Sequence, residues 1–136
     1  MRQAQTLNEA QLRRVLHYTG SRRHPVRDRT IIMVSFYAGL RAKEIAALTV
    51  GNVFDEAGAV REQFILSVAQ SKGGQTRTVY LNQRLRRALV HYRDTIKLAN
   101  SQHPLFASQK GGHFSANTMC QLFLDIYKAC GLKDAS

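Results

Sequence analysis

Tryptophan is absent from this 136-residue chain, cysteine and proline occur twice each, and acidic side chains number nine. Each scarcity excludes something. Two cysteines, Cys120 and Cys130, cannot build a disulfide framework. They fall in a stretch that reads as helix, where their spacing in sequence separates them by about 15 Å, and a disulfide needs Cα atoms within about 7 Å. Both read as small core hydrophobes of a reducing compartment. Without clustered histidines no zinc site is indicated. The longest apolar run, Ile31 to Leu40, is interrupted by Ser35 and falls far short of the roughly 20 residues of a membrane span. No charged-then-apolar leader opens the sequence, which makes the cytoplasm the expected compartment. Neither a G-x-S-x-G, H-E-x-x-H, Walker nor G-x-G-x-x-G pattern occurs. With 44% hydrophobic and 21% charged residues, the composition is that of one folded domain.

Positive charge is what the chain has in excess. Twenty Lys and Arg give a formal net charge of +11, which favours a polyanionic partner, nucleic acid first. The surplus is uneven: residues 1–43 carry +7, residues 44–71 carry −3 and residues 72–97 carry +6. Two basic blocks therefore flank an acidic segment. They form a phosphate-binding surface only if folding brings them together; otherwise they are solvated helix faces.

The periodicity predicts an α+β chain, mainly helical with a small antiparallel hairpin. Thr6-Leu7-Asn8-Glu9 has the form of a capping box. Leu12, Val15 and Leu16 then give an apolar stripe that stops at Gly20. A second helix is predicted from Pro25, apolar nearly all round from Ile31 to Ala38 and so central. Gly39 breaks it, and Arg41 to Leu48 reads as a short helix. Gly51 to Gly58 holds turn formers. Val60 to Val68 and Thr76 to Leu81 read as strands around the turn Ser71-Lys72-Gly73-Gly74-Gln75, with a third short strand expected near Val53-Phe54. Asn82 is predicted to cap a long helix with Leu85, Leu89, Tyr92 and Ile96 inside, and Arg86, Arg93 and Lys97 on the opposite face. Ser115 is predicted to cap a last helix with Met119, Leu122, Phe123, Ile126 and Cys130 buried.

Few residues carry reactive potential. Arg41 follows a glycine break behind an apolar segment. Glu44, three residues on, shares its helical face, either as a surface ion pair or as a brace for a phosphate-directed guanidinium. Lys72 stands at a glycine-flanked hairpin tip, either as an ordinary surface lysine or as an ammonium delivered into a DNA groove. Arg77, on the return strand, is placed to add a phosphate contact. The five histidines form no catalytic or ligand spacing, and Tyr37 and Tyr127 read as core.

Taken in order, these segments resemble the catalytic domain of the tyrosine recombinases, the phage-integrase family. Tyr37 to Leu48 (YAGLRAKEIAAL) is similar to the family's first arginine box, and Ser71 to Leu81 (SKGGQTRTVYL) to its lysine hairpin. Leu105-Phe106-Ala107-Ser108 and Gly111 to Gly131 resemble what precedes its second box. The resemblance spans residues 1–136 and implies a partial catalytic domain. It implies site-specific recombination or integration of double-stranded DNA, by cleavage and rejoining through a phosphotyrosyl link. Neither metal, small-molecule cofactor nor membrane enters that chemistry, and the enzyme can assemble as a homo-oligomer on DNA. Preorganised cations stabilise charge on the phosphorane. Carried onto this sequence, Arg41 is the first arginine, Glu44 its brace and Lys72 the general acid, with Arg77 and Lys43 as DNA contacts. The family continues past Gly131 into a His-x-x-Arg box and a nucleophilic tyrosine. Ser136 comes before both, so the expectation is a fragment inactive by itself, with apolar surface exposed around Ile126 and Cys130 and a tendency to self-associate.

Two other readings stand beside it. Arg41 to Val53 could open a helix-turn-helix of a non-catalytic DNA-binding module, with a second helix near Thr49, although Gly51, Gly58 and a β-rich run argue against it. Alternatively the chain is a regulatory remnant that pairs with a full-length integrase. The target site, and integration as against excision or dimer resolution, are not encoded in these motifs.

Overall fold

The computed structural model describes residues 7–98, 100–108 and 110–132. The predicted α+β organisation is present: α1 (Glu9–Thr19), α2 (Pro25–Ala38), α3 (Ala42–Ala46), α4 (Val50–Val53), β1 (Gln63–Leu66), β2 (Arg77–Tyr80), α5 (Gln83–Arg93) and α6 (Ala116–Ala129). Five consecutive buried residues, Thr30 to Val34, make α2 the central helix. It packs against α1, α3 and α5, while α6 closes the core over α3 and α1.

The helix starts follow side-chain chemistry. Thr6 lies outside the described residues. The cap of α1 is Asn8, whose side chain accepts from the Gln11 N–H at 2.8 Å while the Gln11 side chain accepts from the Asn8 N–H at 2.9 Å. Asn82 and Ser115 cap α5 and α6 as predicted. At the far end of α2, Gly39 takes φ 68° and its N–H bonds the Ser35 carbonyl. This left-handed stop turns the chain so that Leu40 goes inside and Arg41 outside.

β1 and β2 pair antiparallel, from Gln63 opposite Tyr80 to Leu66 opposite Arg77. Phe64, Leu66 and Val79 face the core, whereas Ile65 and Tyr80 share the outer face and are exposed. The expected third strand is a single bridge, Phe54 to Val60. Between those residues the Asp55 carboxylate accepts from the Ala57 and Ala59 N–H groups and Gly58 takes φ 84°, a tight turn that leaves no length for a strand.

Three further expectations are corrected. Residues 50–53 are not a turn but the one-turn helix α4, capped by Thr49 and Asn52 in reciprocal bonds. The long helix ends at Arg93 rather than continuing through Ile96, because Thr95 bonds the Tyr92 carbonyl with both its hydroxyl (2.7 Å) and its N–H (2.9 Å), in competition with the helical ladder. On α6, Ile126 is fully buried and Cys130 half-buried, while Cys120 is exposed beside the stripe of Met119, Leu122 and Phe123. Among the described residues the exposed large apolar side chains are instead Leu124, Ile65, Val68, Tyr80 and Val90. Tyr127 is buried as expected, and Tyr37 is half-buried edge-on to Phe36. Among the described residues no helix is long and apolar enough to cross a membrane.

Candidate active site around a buried carboxylate

Arg41 occupies the N-cap position of α3, directly after the Gly39 turn. Glu44, in the first turn of that helix, points inward and is only 2% exposed. Its carboxylate gathers three donors from three places in the sequence. Oε1 accepts from the Arg41 N–H at 3.0 Å and from Arg77 Nη2 at 3.0 Å, and Oε2 accepts from the Lys72 N–H at 3.1 Å. Arg41 and Lys72, 31 positions apart, are thereby fixed as backbone neighbours on one carboxylate, their nitrogens within about 8 Å.

The hairpin connection is built to present Lys72. Gln70 and Ser67 exchange side-chain-to-backbone bonds that close a turn. The Gln70 amide then crosses to the helical side, donating to the Ala47 carbonyl at 2.9 Å and to Asn52 Oδ1 at 2.7 Å. Ser71 is buried and its Oγ accepts from the Gly73 N–H at 3.2 Å, while Gly74 takes φ 73° to reverse the chain. Backbone order on both sides leaves the Lys72 side chain in solvent. The sequence reading missed Gln70; an amide next to Ser71 in a turn carries no signal that its partner lies 23 residues earlier.

Glu44 braces Arg41, but through its backbone N–H rather than its guanidinium; the ion pair goes to Arg77. Among the described residues, no hydrogen bond or ion pair holds the side chains of Arg41, Lys43 or Lys72, all of which are exposed. Lys43 lies on α3, between Arg41 and Glu44 in sequence. Glu44 thus brings together Arg41, Lys72 and Arg77, with Lys43 at the edge. Such an arrangement leaves a guanidinium and an ammonium free to bind a phosphate beside a carboxylate that is already satisfied.

A second connection reaches the same helix. His113 Nδ1–H donates to the Ala46 carbonyl at 2.8 Å, tying the loop before α6 to the end of α3. His24-Pro25-Val26-Arg27 has the spacing of the second box but stands ahead of Arg41 at the start of α2, and its arginine is held by Asp28 and stacked on Phe114. Neither buried tyrosine is poised as a nucleophile. The Tyr92 hydroxyl donates to the Leu105 carbonyl at 2.7 Å and burial pushes its pKa up to about 12, while burial also pushes Tyr127 up.

Comparison with known proteins identifies this frame. The family model described as the phage integrase family matches residues 5–136. Tyrosine recombinase XerC of Pelobacter propionicus is 26% identical over 104 residues, covering 76% of this chain and 32% of that protein. The crystal structure of XerA recombinase superposes with a TM-score of 0.71 at 21% identity, over 99% of this chain and 46% of the other. A lambda integrase structure bound to DNA gives 0.66 at 16% identity, over 98% and 45%. The chain therefore spans less than half the length of these relatives. By this match across almost its whole length, the chain belongs to the phage integrase family.

Proposed function

We propose that residues 1–136 are the part of a tyrosine recombinase catalytic domain that grips and activates the scissile phosphate of double-stranded DNA. One observation carries the reading: a single buried carboxylate holds the backbones of both Arg41 and Lys72 and leaves both side chains uncommitted. Arg41 then binds a non-bridging phosphate oxygen, and Lys72 protonates the 5′-oxygen as it leaves. The attacking hydroxyl comes from a tyrosine other than the buried Tyr92 and Tyr127, and the product is a 3′-phosphotyrosyl link that a 5′-hydroxyl reverses. Charge that develops on the phosphorane meets cations already in place. Lys43 adds a nearby phosphate attraction. The work is site-specific recombination or integration, done in the cytoplasm by copies assembled on the DNA.

A non-catalytic DNA-binding module fits less well. Its reading helix would be α4, whose Val50 and Val53 are both buried and whose four residues offer little to a groove.

The test is a salt titration of duplex binding by the 136-residue chain. Each cation that contacts a phosphate contributes about 0.9 to the slope of log K against log salt. Arg41→Ala and Lys72→Ala are each expected to lower that slope by about this amount. In a recombinase that contains this segment, Lys72→Ala is expected to abolish strand cleavage while binding falls less than about tenfold. Salt-independent binding, or cleavage that survives Lys72→Ala, would remove the assignment.

A further inference from the structure

Arg77 enters from the sequence as a phosphate contact, and its surroundings argue for a different role. Its guanidinium lies 3.0 Å from Glu44 Oε1, the oxygen that also takes the Arg41 N–H, while the other oxygen takes the Lys72 N–H. Glu44 is 2% exposed, so what offsets its burial must come from the protein groups around it. Two of its three donors are neutral backbone groups; Arg77 is the cation. The connection between β1 and β2 is thus pinned at three points: its entry by Gln70 on Ala47 and Asn52, its middle by the Lys72 N–H, and its exit by Arg77. The last two points share one carboxylate. Arg77 is 47% exposed and engages Glu44 through Nη2; moving its guanidinium onto a phosphate would leave that carboxylate buried without its ion-pair partner.

We propose that Arg77 is a positioning residue: by neutralising Glu44 from the return strand, it holds the Lys72 backbone against the Arg41 helix without touching DNA. The catalytic consequence rests on the role proposed for Lys72; the coupling itself does not.

Amide hydrogen exchange followed by NMR on the 136-residue chain tests the coupling, with the fully buried Leu89 reporting global opening. Arg77→Ala is expected to speed exchange at the Lys72 N–H at least tenfold more than at Leu89. Arg77→Lys, which keeps the charge but not the fork, is expected to recover part of the protection. Should the alanine variant not fold, the lysine variant is judged by the same comparison, with a smaller excess at Lys72 expected. Equal exchange changes at Lys72 and Leu89, or none at Lys72, overturn the proposal. Duplex binding in an Arg41→Ala/Lys72→Ala background supplies the second arm, since Glu44 also holds the Arg41 backbone. A positioning role leaves the salt slope unchanged on adding Arg77→Ala, and a drop of about 0.9 makes Arg77 a phosphate contact and overturns it. Absence of duplex binding at low salt would defeat the proposed function, and the exchange comparison would still decide this one.

Discussion

Among the described residues two carboxylates lie buried, Asp28 and Glu44, and they are used in opposite ways. Asp28, 1% exposed near the start of α2, takes Arg22 Nε at 2.7 Å on one oxygen and Arg27 Nε at 2.9 Å on the other. Burial works against the charge on Arg22, and the bond to Asp28 overcomes it and holds its pKa above the usual value. Arg27 also lies over the Phe114 ring, 5.1 Å from its centroid, so this cluster joins the α1–α2 connection to the segment before α6. Glu44, equally buried, takes one guanidinium and two backbone N–H groups. The first carboxylate consumes cations to tie elements together; the second orders the backbone under Arg41 and Lys72 and leaves their charge available. The net charge of +11 therefore overstates what an anion meets at some places and understates the local organisation at others.

The sharpest way to break this contrast is Asp28→Ala. It leaves two partly buried guanidinium groups unpaired, and removing one partner of a buried ion pair costs about 3–5 kcal/mol. Urea denaturation should show a loss of that order, while native-state exchange at the Lys72 N–H stays at its wild-type ratio to Leu89. A selective rise at Lys72 would mean that the two carboxylates are not independent.

Alkaline pH offers a somewhat smaller effect on the same side of the molecule, where Tyr92 and Arg27 line one groove. The buried Tyr92 phenol titrates near 12 when folded, with burial as the cause and Arg27 pulling weakly the other way. Unfolded, it titrates near 10. The raised folded value means that the contribution is complete below about pH 10 and is lost as pH climbs towards 12, by up to about 2–3 kcal/mol. Tyr127 adds a loss of the same sign. The readout is therefore the difference between wild type and Tyr92→Phe in urea midpoints across that window. Tyr92→Phe should begin about 1 kcal/mol lower, without the bond to Leu105, and decline less steeply.

How far these regions were legible beforehand depends on sequence separation. The Gly39 stop, the arginine at the helix start, the glycine-flanked lysine and the caps at Asn82 and Ser115 are local patterns, and the structure contains them. The convergence on Glu44 is not local: its partners Lys72 and Arg77 lie 28 and 33 residues away, and an acid four residues short of Leu48 reads equally well as surface. Helix α4 was hidden because four residues make barely one turn and show no period. Cys120 adjoins a buried stripe without belonging to it, a difference that its neighbours in sequence do not show. The end of α5 was missed because apolar spacing runs on to Ile96 while the Thr95 hydroxyl terminates the ladder.

Glu44→Gln sharpens the contrast from the other side, at about 2 kcal/mol, the scale of a hydrogen bond to a charged group. The amide keeps the shape but can accept at one end only. With its carbonyl towards Arg41 and Arg77, its NH2 faces the Lys72 N–H, and two donors repel. Exchange should then rise at Lys72 and stay near wild type at Arg41. An unchanged Lys72 would show that the loop is held by Gln70 alone and that the carboxylate is not its organiser.

The smallest expected effect decides whether burial or mere pairing sets the two carboxylates apart. Arg86 on α5 meets Glu62, just before β1, at 3.2 Å, nearly the distance of Arg77 from Glu44, and it also joins a helix to the hairpin. Its carboxylate, however, is 85% exposed. Water solvates both charges whether or not they meet, so the pair gains little over its separated state and salt screens what remains. Arg86→Ala should shift stability by no more than about 0.5 kcal/mol and leave Lys72 exchange untouched. If it instead costs as much as Glu44→Gln, then ion pairs stabilise this fold wherever they lie, and the inward position of Glu44 loses its special meaning. If the loss stays small, the same two charged groups at the same separation matter at residue 44 because that carboxylate has no water to fall back on.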